Sequence, residues 1–238
     1  MAAPPWHRGV VIKIENENYN TKKFWIQIPE VSDFSFLPGQ FVTLDLPIHE
    51  KPNKRWRSYS IASWPGGNVI ELLIVILEGG AGTNYLFSEV IVGSELQLRG
   101  PQGVFVLPQQ IEKTLFFICT GTGIAPFRSM LHHIKNNEVP HQPIHLIFGT
   151  RSQKDLLYYR EIRELEEAIP GFTFTPTLSR EEWEGCCGYV HAVYEELCKD
   201  KPAAHFYLCG WKAMVDEAKK RILLLGYDKK DIHLELYG

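Results

Sequence analysis

Two short stretches combine residue types that could bind a phosphate-bearing cofactor: RSYSIAS at 57–63 and TGTGIAPFR at 120–128. Gly121 and Gly123 would let the backbone approach a pyrophosphate, and a following helix would offer free N–H groups at its N-terminus. Pro126 stands where the usual dinucleotide motif has a third small residue, and proline is compatible with the first helical turn. Taken alone, this loop is equally compatible with a tight turn that binds nothing.

The first half of the chain has the pattern of an antiparallel β domain. The runs VVIKIE, FWIQIP, FVTLDLP, IELLIVIL and ELQLRG are alternating or β-branched, and Pro, Gly, Asn and Asp separate them. Several such strands at close spacing favour a small antiparallel barrel or sandwich, and we expect an N-terminal antiparallel six-stranded β-barrel.

From about residue 110 the pattern alternates between strands and helices. LFFICT is a continuous apolar run, typical of a strand buried on both faces of a parallel sheet. Four more strands are predicted at IHLIFGTR, FTFTPTLS, HFYLCG and IHLELYG, and helices at FRSMLHHIKNN, DLLYYREIRELEEAI, YVHAVYEELCKD and AMVDEAKKRILLLG. This pattern predicts a five-stranded parallel doubly wound nucleotide-binding domain. We therefore expect two domains, residues 1–108 and 109–238.

Composition excludes several classes of function. A net charge of −3 and a pI near 6.3 give no basic footprint for nucleic acid. No secretory signal or run of about 18 apolar residues is visible, which favours a cytoplasmic protein without a membrane span. The five cysteines are odd in number, and their spacing fits neither a disulfide framework, a zinc site nor an iron–sulfur cluster. We therefore expect no metal, and any redox centre should be an organic cofactor.

RSYSIAS and CTGTGIAPFRSML together resemble the ferredoxin–NADP⁺ reductase superfamily, in the family's order and over nearly the whole chain. The resemblance implies a barrel that binds FAD and a second domain that binds NADP(H) or NAD(H). The implied activity is hydride transfer between NADP(H) and FAD, with single electrons passed to or from a ferredoxin or flavodoxin. Because no iron–sulfur ligand set is present, the carrier should be a separate protein.

The resemblance assigns flavin contacts to the first half of the chain. Its R-x-Y-S motif consists of Arg57, Ser58, Tyr59 and Ser60. Arg57 would meet the flavin pyrophosphate, Tyr59 would lie against the isoalloxazine and Ser60 would approach the flavin N5. A second element, G-x-x-[ST], is matched at residues 80–83 and places Gly82 and Thr83 under the pyrophosphate, which favours FAD over FMN.

The second half carries the implied nicotinamide contacts. The nucleotide loop is Gly121, Thr122 and Gly123, and the family's C-G dipeptide is Cys209-Gly210. The chain ends in the E-x-aromatic pattern of plant-type members, here Glu235 and Tyr237. Because the cofactors carry the hydride transfer, Ser60, Cys209, Glu235 and Tyr237 are predicted as catalytic positioners.

Different motifs in the sequence favour NADP(H) and NAD(H). Ser179-Arg180 matches the S-R pair of NADP-specific relatives, and Arg151 is a second candidate for the 2′-phosphate. The W-x-G-x-x-G-Y-V run at 183–190 resembles instead the NADH-using reductases of bacterial oxygenases. NADP(H) is favoured, and NAD(H) stays open.

Three other functions remain open. The chain could be an NADH-using reductase component of an oxygenase, a flavin- and nucleotide-binding redox module without sustained turnover, or a free-flavin reductase. Lys51, Lys54 and Arg55 precede Arg57 and would suit an acidic electron carrier. The oligomeric state is not indicated by the sequence.

Overall fold

The computed structural model describes residues 4–237, which form two compact units. The first unit runs to Val106 and includes Arg128–Met130, and the second comprises Leu107–Phe127 and the chain from Leu131 onward. No helix in residues 4–237 combines the length and apolar character that a membrane crossing requires.

The first unit is the predicted barrel. Its strands are β1 (Trp6–Asn16), β2 (Thr21–Gln27), β3 (Phe41–Asp45), β4 (Trp56–Ser60), β5 (Val69–Val75) and β6 (Glu95–Gln102), with one helix, α1 (Ala81–Ser88). The sheet order is β4-β3-β6-β1-β2-β5, and all neighbours are antiparallel. A bridge between Ile61 and Leu72 and a 2.8 Å bond from the Ala62 N–H to the Glu71 carbonyl link the chain just after β4 to β5. The sheet therefore closes on itself.

Alternating apolar side chains fill the barrel. Its fully buried members include Val11, Ile26, Val42, Leu44, Leu72 and Leu98. Leu86 of α1 is buried in the same cluster, so α1 is packed against the barrel core through its side chains. Each such buried side chain contributes about 1.5–3 kcal/mol, and Leu86 in this way holds α1 on the barrel.

The second unit is the predicted parallel sheet with helices. Its strands are β7 (Thr114–Thr120), β8 (Ile144–Thr150), β9 (Phe172–Leu178), β10 (Cys186–Cys187), β11 (Ala204–Trp211) and β12 (Ile232–Tyr237), and its helices are α2 (Ala125–Asn136), α3 (Tyr159–Ala168), α4 (Val190–Leu197) and α5 (Lys212–Leu224). The five predicted strands are confirmed. The structure adds β10, a two-residue edge strand too short to show a periodic pattern.

The order of this sheet is β10-β9-β8-β7-β11-β12, with all strands parallel. From β7 the chain moves outward through β8 and β9, and then crosses back to place β11 on the other side of β7. The strand order thus reverses at β7, and ligands of doubly wound sheets bind at the carboxyl ends of strands beside such a reversal.

Helix α3 begins later than its sequence predicts. The apolar pattern predicts a helix from Asp155, but a 3₁₀ turn at Gln153–Asp155 comes first and α3 starts at Tyr159. Ser152 and Asp155 close the 3₁₀ turn as a capping box, and Tyr158 adopts a left-handed conformation with φ of 52°. A left-handed residue cannot continue an α-helix, so the two turns are separate. Further 3₁₀ turns lie at Pro52–Lys54, Gly121–Ile124 and Lys229–Asp231.

Candidate functional site

The R-x-Y-S motif lies on β4, the first strand in the order of the sheet. Its register pairs Arg57 with Leu44 and Tyr59 with Val42, both of which are fully buried in the core. Because strand side chains alternate between faces, Arg57 and Tyr59 point to one face of β4, and Ser58 and Ser60 to the other.

Arg57 lies against the first turn of α1. Its Nη1 donates hydrogen bonds to the carbonyl oxygens of Lys54 (3.1 Å) and Trp56 (2.8 Å), which fix the guanidinium. A Cβ placed on Gly82 would stand 3.0 Å from Arg57 Cγ and 3.2 Å from its Nε. Gly82 therefore lets the backbone of α1 approach the arginine as closely as it does, and the two predicted flavin motifs meet here.

The N-terminus of α1 is open to an anion. Gly80 precedes the helix and provides no side-chain cap, and the first turn contains no acidic residue. The Thr83 hydroxyl accepts a hydrogen bond from the Leu77 N–H at 3.1 Å and lies 3.2 Å from the Gly80 carbonyl, so it fixes the loop before the helix. Uncapped N–H groups beside a guanidinium fit a pyrophosphate. The residues present therefore fit FAD.

Tyr59 and Ser58 make different contacts. Tyr59 is packed against the barrel core, and burial raises the pKa of its phenol to about 12, although the Arg57 charge opposes this shift. Tyr59 is therefore an uncharged aromatic surface at neutral pH. The Ser58 hydroxyl lies 3.1 Å from that of Thr43, to which Gln102 also donates.

In the second unit the glycine loop is seated directly on β11. The 3₁₀ turn contains Gly121, Thr122 and Gly123, and Gly123 is buried. A Cβ on Gly123 would stand 2.4 Å from the Cys209 carbonyl oxygen and 3.0 Å from the Gly210 nitrogen. Only glycine permits this approach, so the structure brings the predicted loop and the C-G dipeptide together.

Gly210, at the end of β11, is a second position that requires glycine. Its φ of 143° is unfavourable for other residues, and a Cβ there would stand 2.4 Å from Thr120 Oγ1. The same hydroxyl accepts a hydrogen bond from the Trp211 N–H at 3.3 Å. Thr120 therefore links the end of β7 to the end of β11, a contact that the sequence did not indicate.

A thiol and a carboxylate lie side by side at the carboxyl ends of the strands. The sheet register aligns Cys119, Cys209 and Glu235 on β7, β11 and β12. Burial raises the pKa of the Cys209 thiol well above its ordinary value, and the Glu235 charge acts in the same direction, whereas a hydrogen bond with Tyr237 opposes it. Cys209 is therefore a neutral thiol. Cys119 begins the CTGTGIAPFRSML run, and the sequence predicts no role for its thiol.

The predicted phosphate-binding residues also meet. The Ser179 N–H and hydroxyl both donate to the Thr150 carbonyl, at 3.0 and 3.1 Å. The Arg180 N–H donates to the Arg151 carbonyl at 2.9 Å, which places these exposed arginines at neighbouring strand ends. Ser179 thus positions the turn, and the two arginines supply its charge.

Beside this turn lies a cavity of about 270 Å³ that the sequence did not reveal. It is lined by Gln153, Leu156, Tyr159, Trp183 and Glu184. One of its aromatic rings comes from α3 and the other from residues 181–187. The Gln153 N–H donates a 3.0 Å hydrogen bond to the Glu181 carboxylate, which holds this segment beside the cavity. Tyr159 belongs to no sequence motif, and Trp183 belongs only to the W-x-G-x-x-G-Y-V run.

The positive charges in the basic run before β4 are only partly balanced by carboxylates. Arg55 Nε lies 2.7 Å from the Asp45 carboxylate, whereas Lys51 and Lys54 are exposed around the 3₁₀ turn at Pro52–Lys54. Two lysine charges therefore stand on the surface next to the Arg57 motif.

Comparisons with known proteins match both halves of the chain. Residues 8–107 match the oxidoreductase FAD-binding domain family, and residues 117–220 match the oxidoreductase NAD-binding domain family. Ferredoxin–NADP reductase B of Sorangium cellulosum is 34% identical over 215 residues, which are 86% of this chain and 86% of that protein.

Two further relatives are longer than this chain. The anthranilate 1,2-dioxygenase electron transfer component of Acinetobacter baylyi is 34% identical over 193 residues, 79% of this chain. The chain spans about half (54%) of that protein's length. The crystal structure of the Amycolatopsis cytochrome P450 reductase GcoB superimposes with a TM-score of 0.88 and 25% identity, covering 99% of this chain and 71% of that one.

Proposed function

The chain belongs to the ferredoxin–NADP reductase family, and from this premise we propose that it transfers hydride between NADP(H) and FAD and exchanges single electrons with a ferredoxin or flavodoxin. The observation that carries the proposal is the assembly at the ends of β7 and β11, where Gly123 lies against Cys209 and Glu235 flanks the thiol. We assign FAD binding to residues 1–108 and nucleotide binding to residues 109–238.

Bound FAD would supply a two-electron acceptor that releases electrons one at a time. The protein's own part is to bind and orient it. Arg57 and the first turn of α1, with Gly82 and Thr83, would hold the pyrophosphate. Tyr59 would offer an uncharged ring to the isoalloxazine, and Ser60 would place a hydroxyl near N5.

At the nucleotide end, the backbone of Gly121, Thr122 and Gly123 would hold the pyrophosphate, with Gly210 alongside. Cys209 would contact the nicotinamide as a neutral thiol, which adds no charge at the ring. Glu235 and Tyr237 would set the charge and the apolar contact around it. These groups position the reacting ring and need not exchange a proton with it.

The coenzyme's adenosine would lie in the cavity between Tyr159 and Trp183. Stacking between two aromatic rings suits adenine, and the adjacent Arg151, Ser179 and Arg180 suit a 2′-phosphate. This arrangement favours NADP(H) over NAD(H). A charge-assisted hydrogen bond contributes about 1.5–3 kcal/mol, which corresponds to about a 10- to 100-fold preference for each arginine.

The test is stopped-flow reduction of the purified, FAD-loaded chain by NADPH and by NADH, with Arg180→Ala and Arg151→Ala as variants. We expect NADPH to bleach the flavin faster, and each variant to weaken NADPH binding about 10- to 100-fold while leaving NADH unchanged. Arg160→Ala is the matched control, because Arg160 is exposed on α3 and pairs only loosely with Glu164 at 3.6 Å. Equal use of both coenzymes, unaffected by Arg180→Ala, would refute the assignment. A colourless chain that takes up no FAD would refute the function itself.

The second candidate is an NADH-using reductase component of an oxygenase. The W-x-G-x-x-G-Y-V run and the similarity to the anthranilate dioxygenase component favour it. It predicts faster reduction by NADH and electron delivery to an oxygenase protein. Steady NADPH-dependent reduction of ferricyanide would in turn exclude a binding module without turnover, and tight retention of FAD would exclude a free-flavin reductase.

For the electron carrier we propose an acidic protein in the cytoplasm. Exposed Lys51 and Lys54 beside the Arg57 motif support this choice. Association steered by such charges weakens as salt screens them. Replacement of both lysines by glutamine should therefore slow ferredoxin reduction at low salt without changing flavin reduction by NADPH.

A further inference from the structure

Two adjacent thiols stand exposed on the edge of the second unit. Cys186 and Cys187 form the whole of β10, and both are free and exposed. They are paired in register with Thr177 and Leu178 of β9, directly before the Ser179–Arg180 turn. The other three cysteines are buried, so this pair is the chain's accessible thiol chemistry.

The dithiol is connected to the wall of the aromatic cavity. The Trp183 indole donates a 2.7 Å hydrogen bond to the Cys186 carbonyl, and the Cys187 sulfur lies 4.0 Å from the Glu181 carbonyl oxygen. Trp183 and Glu184 line the cavity. Any rearrangement of Cys186–Cys187 would therefore move the side chains proposed to bind adenosine.

Geometry restricts what this pair can bind. Neighbouring Cα atoms are about 3.8 Å apart, shorter than the roughly 4.4–6.8 Å of a relaxed disulfide, so direct oxidation to a disulfide is strained. A bridging atom between the sulfurs relieves that strain. Glu181, Glu182 and Glu184 carry negative charge in the same segment, beside the positive Arg180, so charge alone favours neither an anionic nor a cationic ligand. Within residues 4–237 no group of three or more Cys, His, Asp or Glu side chains is placed to hold a metal ion.

A ligand that is neutral and takes two thiols from the protein satisfies all these conditions. We propose that Cys186 and Cys187 together bind trivalent arsenic supplied as an organic arsenoxide, and that the adduct closes the nucleotide cavity. The As=O group condenses with the two S–H groups. Two As–S bonds form, one water leaves, and arsenic stays trivalent, so no electron acceptor is needed.

The adduct requires β10 to leave β9. Successive side chains of a strand point to opposite faces, so both sulfurs reach one arsenic atom only after local rearrangement. The contacts that would be lost include the two-residue pairing with β9 and the Trp183 bond to Cys186. They also include the 2.7 Å bond from the Gly188 N–H to the Leu178 carbonyl and the 2.9 Å bond from the Thr177 hydroxyl to the Gly188 carbonyl. The effect of the arsenic adduct on coenzyme binding rests on the proposed function. The binding of arsenic by Cys186 and Cys187 does not.

The experiment is titration of the purified, FAD-loaded chain with phenylarsine oxide. Intact mass should show one phenylarsenic group bound per chain through two thiols, removed by a dithiol but not by an equal excess of a monothiol. Cys186→Ser and Cys187→Ser should each abolish this stable adduct, and both exposed substitutions should leave the fold intact. Cys198→Ser, at a buried cysteine, is the control that should retain it.

Kinetics then test the coupling. The arsenical should raise KM for NADPH and for NADH alike by about tenfold or more, as loss of one good adenosine contact would. Ferricyanide oxidation of dithionite-reduced flavin should not change. A stable adduct in either serine variant would overturn the dithiol site. An adduct with unchanged KM would overturn the proposed link between the dithiol and coenzyme binding. If neither coenzyme reduced the unmodified chain, the proposed function would fail, and the mass measurement would still decide whether Cys186 and Cys187 form an arsenic site.

Discussion

Replacement of Gly123 by alanine tests whether the glycine loop must lie on the backbone of β11. The added methyl group would meet the Cys209 carbonyl oxygen at 2.4 Å, its carbonyl carbon at 2.7 Å and the Gly210 nitrogen at 3.0 Å. All three are backbone atoms of an interior strand, paired on both sides, which cannot rotate away as a flexible side chain can. The loop itself must therefore move.

The displacement follows from these distances. Raising the 2.4 Å contact to an ordinary carbon–oxygen separation of about 3.4 Å requires a shift of about 1 Å. Overpacking of this kind lowers the free energy of unfolding by about 1–3 kcal/mol. A 1 Å misplacement of a binding group slows a reaction that depends on orientation by about 100-fold. FAD binding should be unaffected, because the proposed FAD contacts lie in the first unit.

Stopped-flow flavin bleaching by NADPH gives the rate, and urea unfolding gives the stability. Gly171→Ala is the matched control, since its φ of 77° strains an alanine while the nearest atom to the new Cβ is 4.0 Å away. It should lose a similar free energy of unfolding, about 1–2 kcal/mol, yet keep the wild-type rate. If Gly123→Ala bleached as fast as wild type, or if Gly171→Ala slowed equally, the reasoning from contact to rate would be refuted.

Other outcomes follow from single contacts. Arg57→Lys should weaken FAD binding about 10- to 100-fold in a fluorescence titration, because lysine lacks the planar fork that fits a pyrophosphate; unchanged affinity would remove Arg57 from the site. Tyr59→Phe should leave the pH profile of flavin reduction unchanged below pH 10, since the pKa of Tyr59 is about 12; a new or lost inflection would contradict this. Burial lowers the pKa of His205 and His233 below 6.5, so the unfolded chain binds more protons just below that pH. The free energy of unfolding should therefore fall as pH drops from 6.5 through the folded pKa values, and urea unfolding of His233→Phe should show a shallower fall.

Much of the fold was predictable because its strands have strong local patterns. The alternating or β-branched runs of the first unit and the continuous apolar runs of β7, β8 and β11 reflect burial on one face or on both. β10 was not predicted because a strand of two residues is too short to show a hydrophobic periodicity. The early start predicted for α3 failed because the left-handed backbone of Tyr158 leaves no signature in an otherwise helical apolar pattern.

Proximity within the candidate site was predictable where two motifs are assigned to one group. Arg57 and Gly82, which the motifs assign to the same pyrophosphate, lie in contact, whereas the approach of Gly123 to Cys209 was not predicted. Contacts made by folding were not foreseeable: the cavity joins Tyr159 of α3 to Trp183, 24 residues away in a segment without a pattern. The roles assigned to all of the predicted site residues, Ser60, Glu235 and Tyr237 among them, remain predictions.

The strand order of the second sheet also has an evolutionary consequence. The loops proposed to hold the nicotinamide leave β7 and β11, on one side of the strand-order reversal, whereas those proposed to hold the adenosine leave β8 and β9, on its other side. Mutations that retune coenzyme choice can accumulate at the ends of β8 and β9 while the ends of β7 and β11 stay under separate constraint. A lineage with this topology can therefore exchange its electron source without rebuilding its reaction centre.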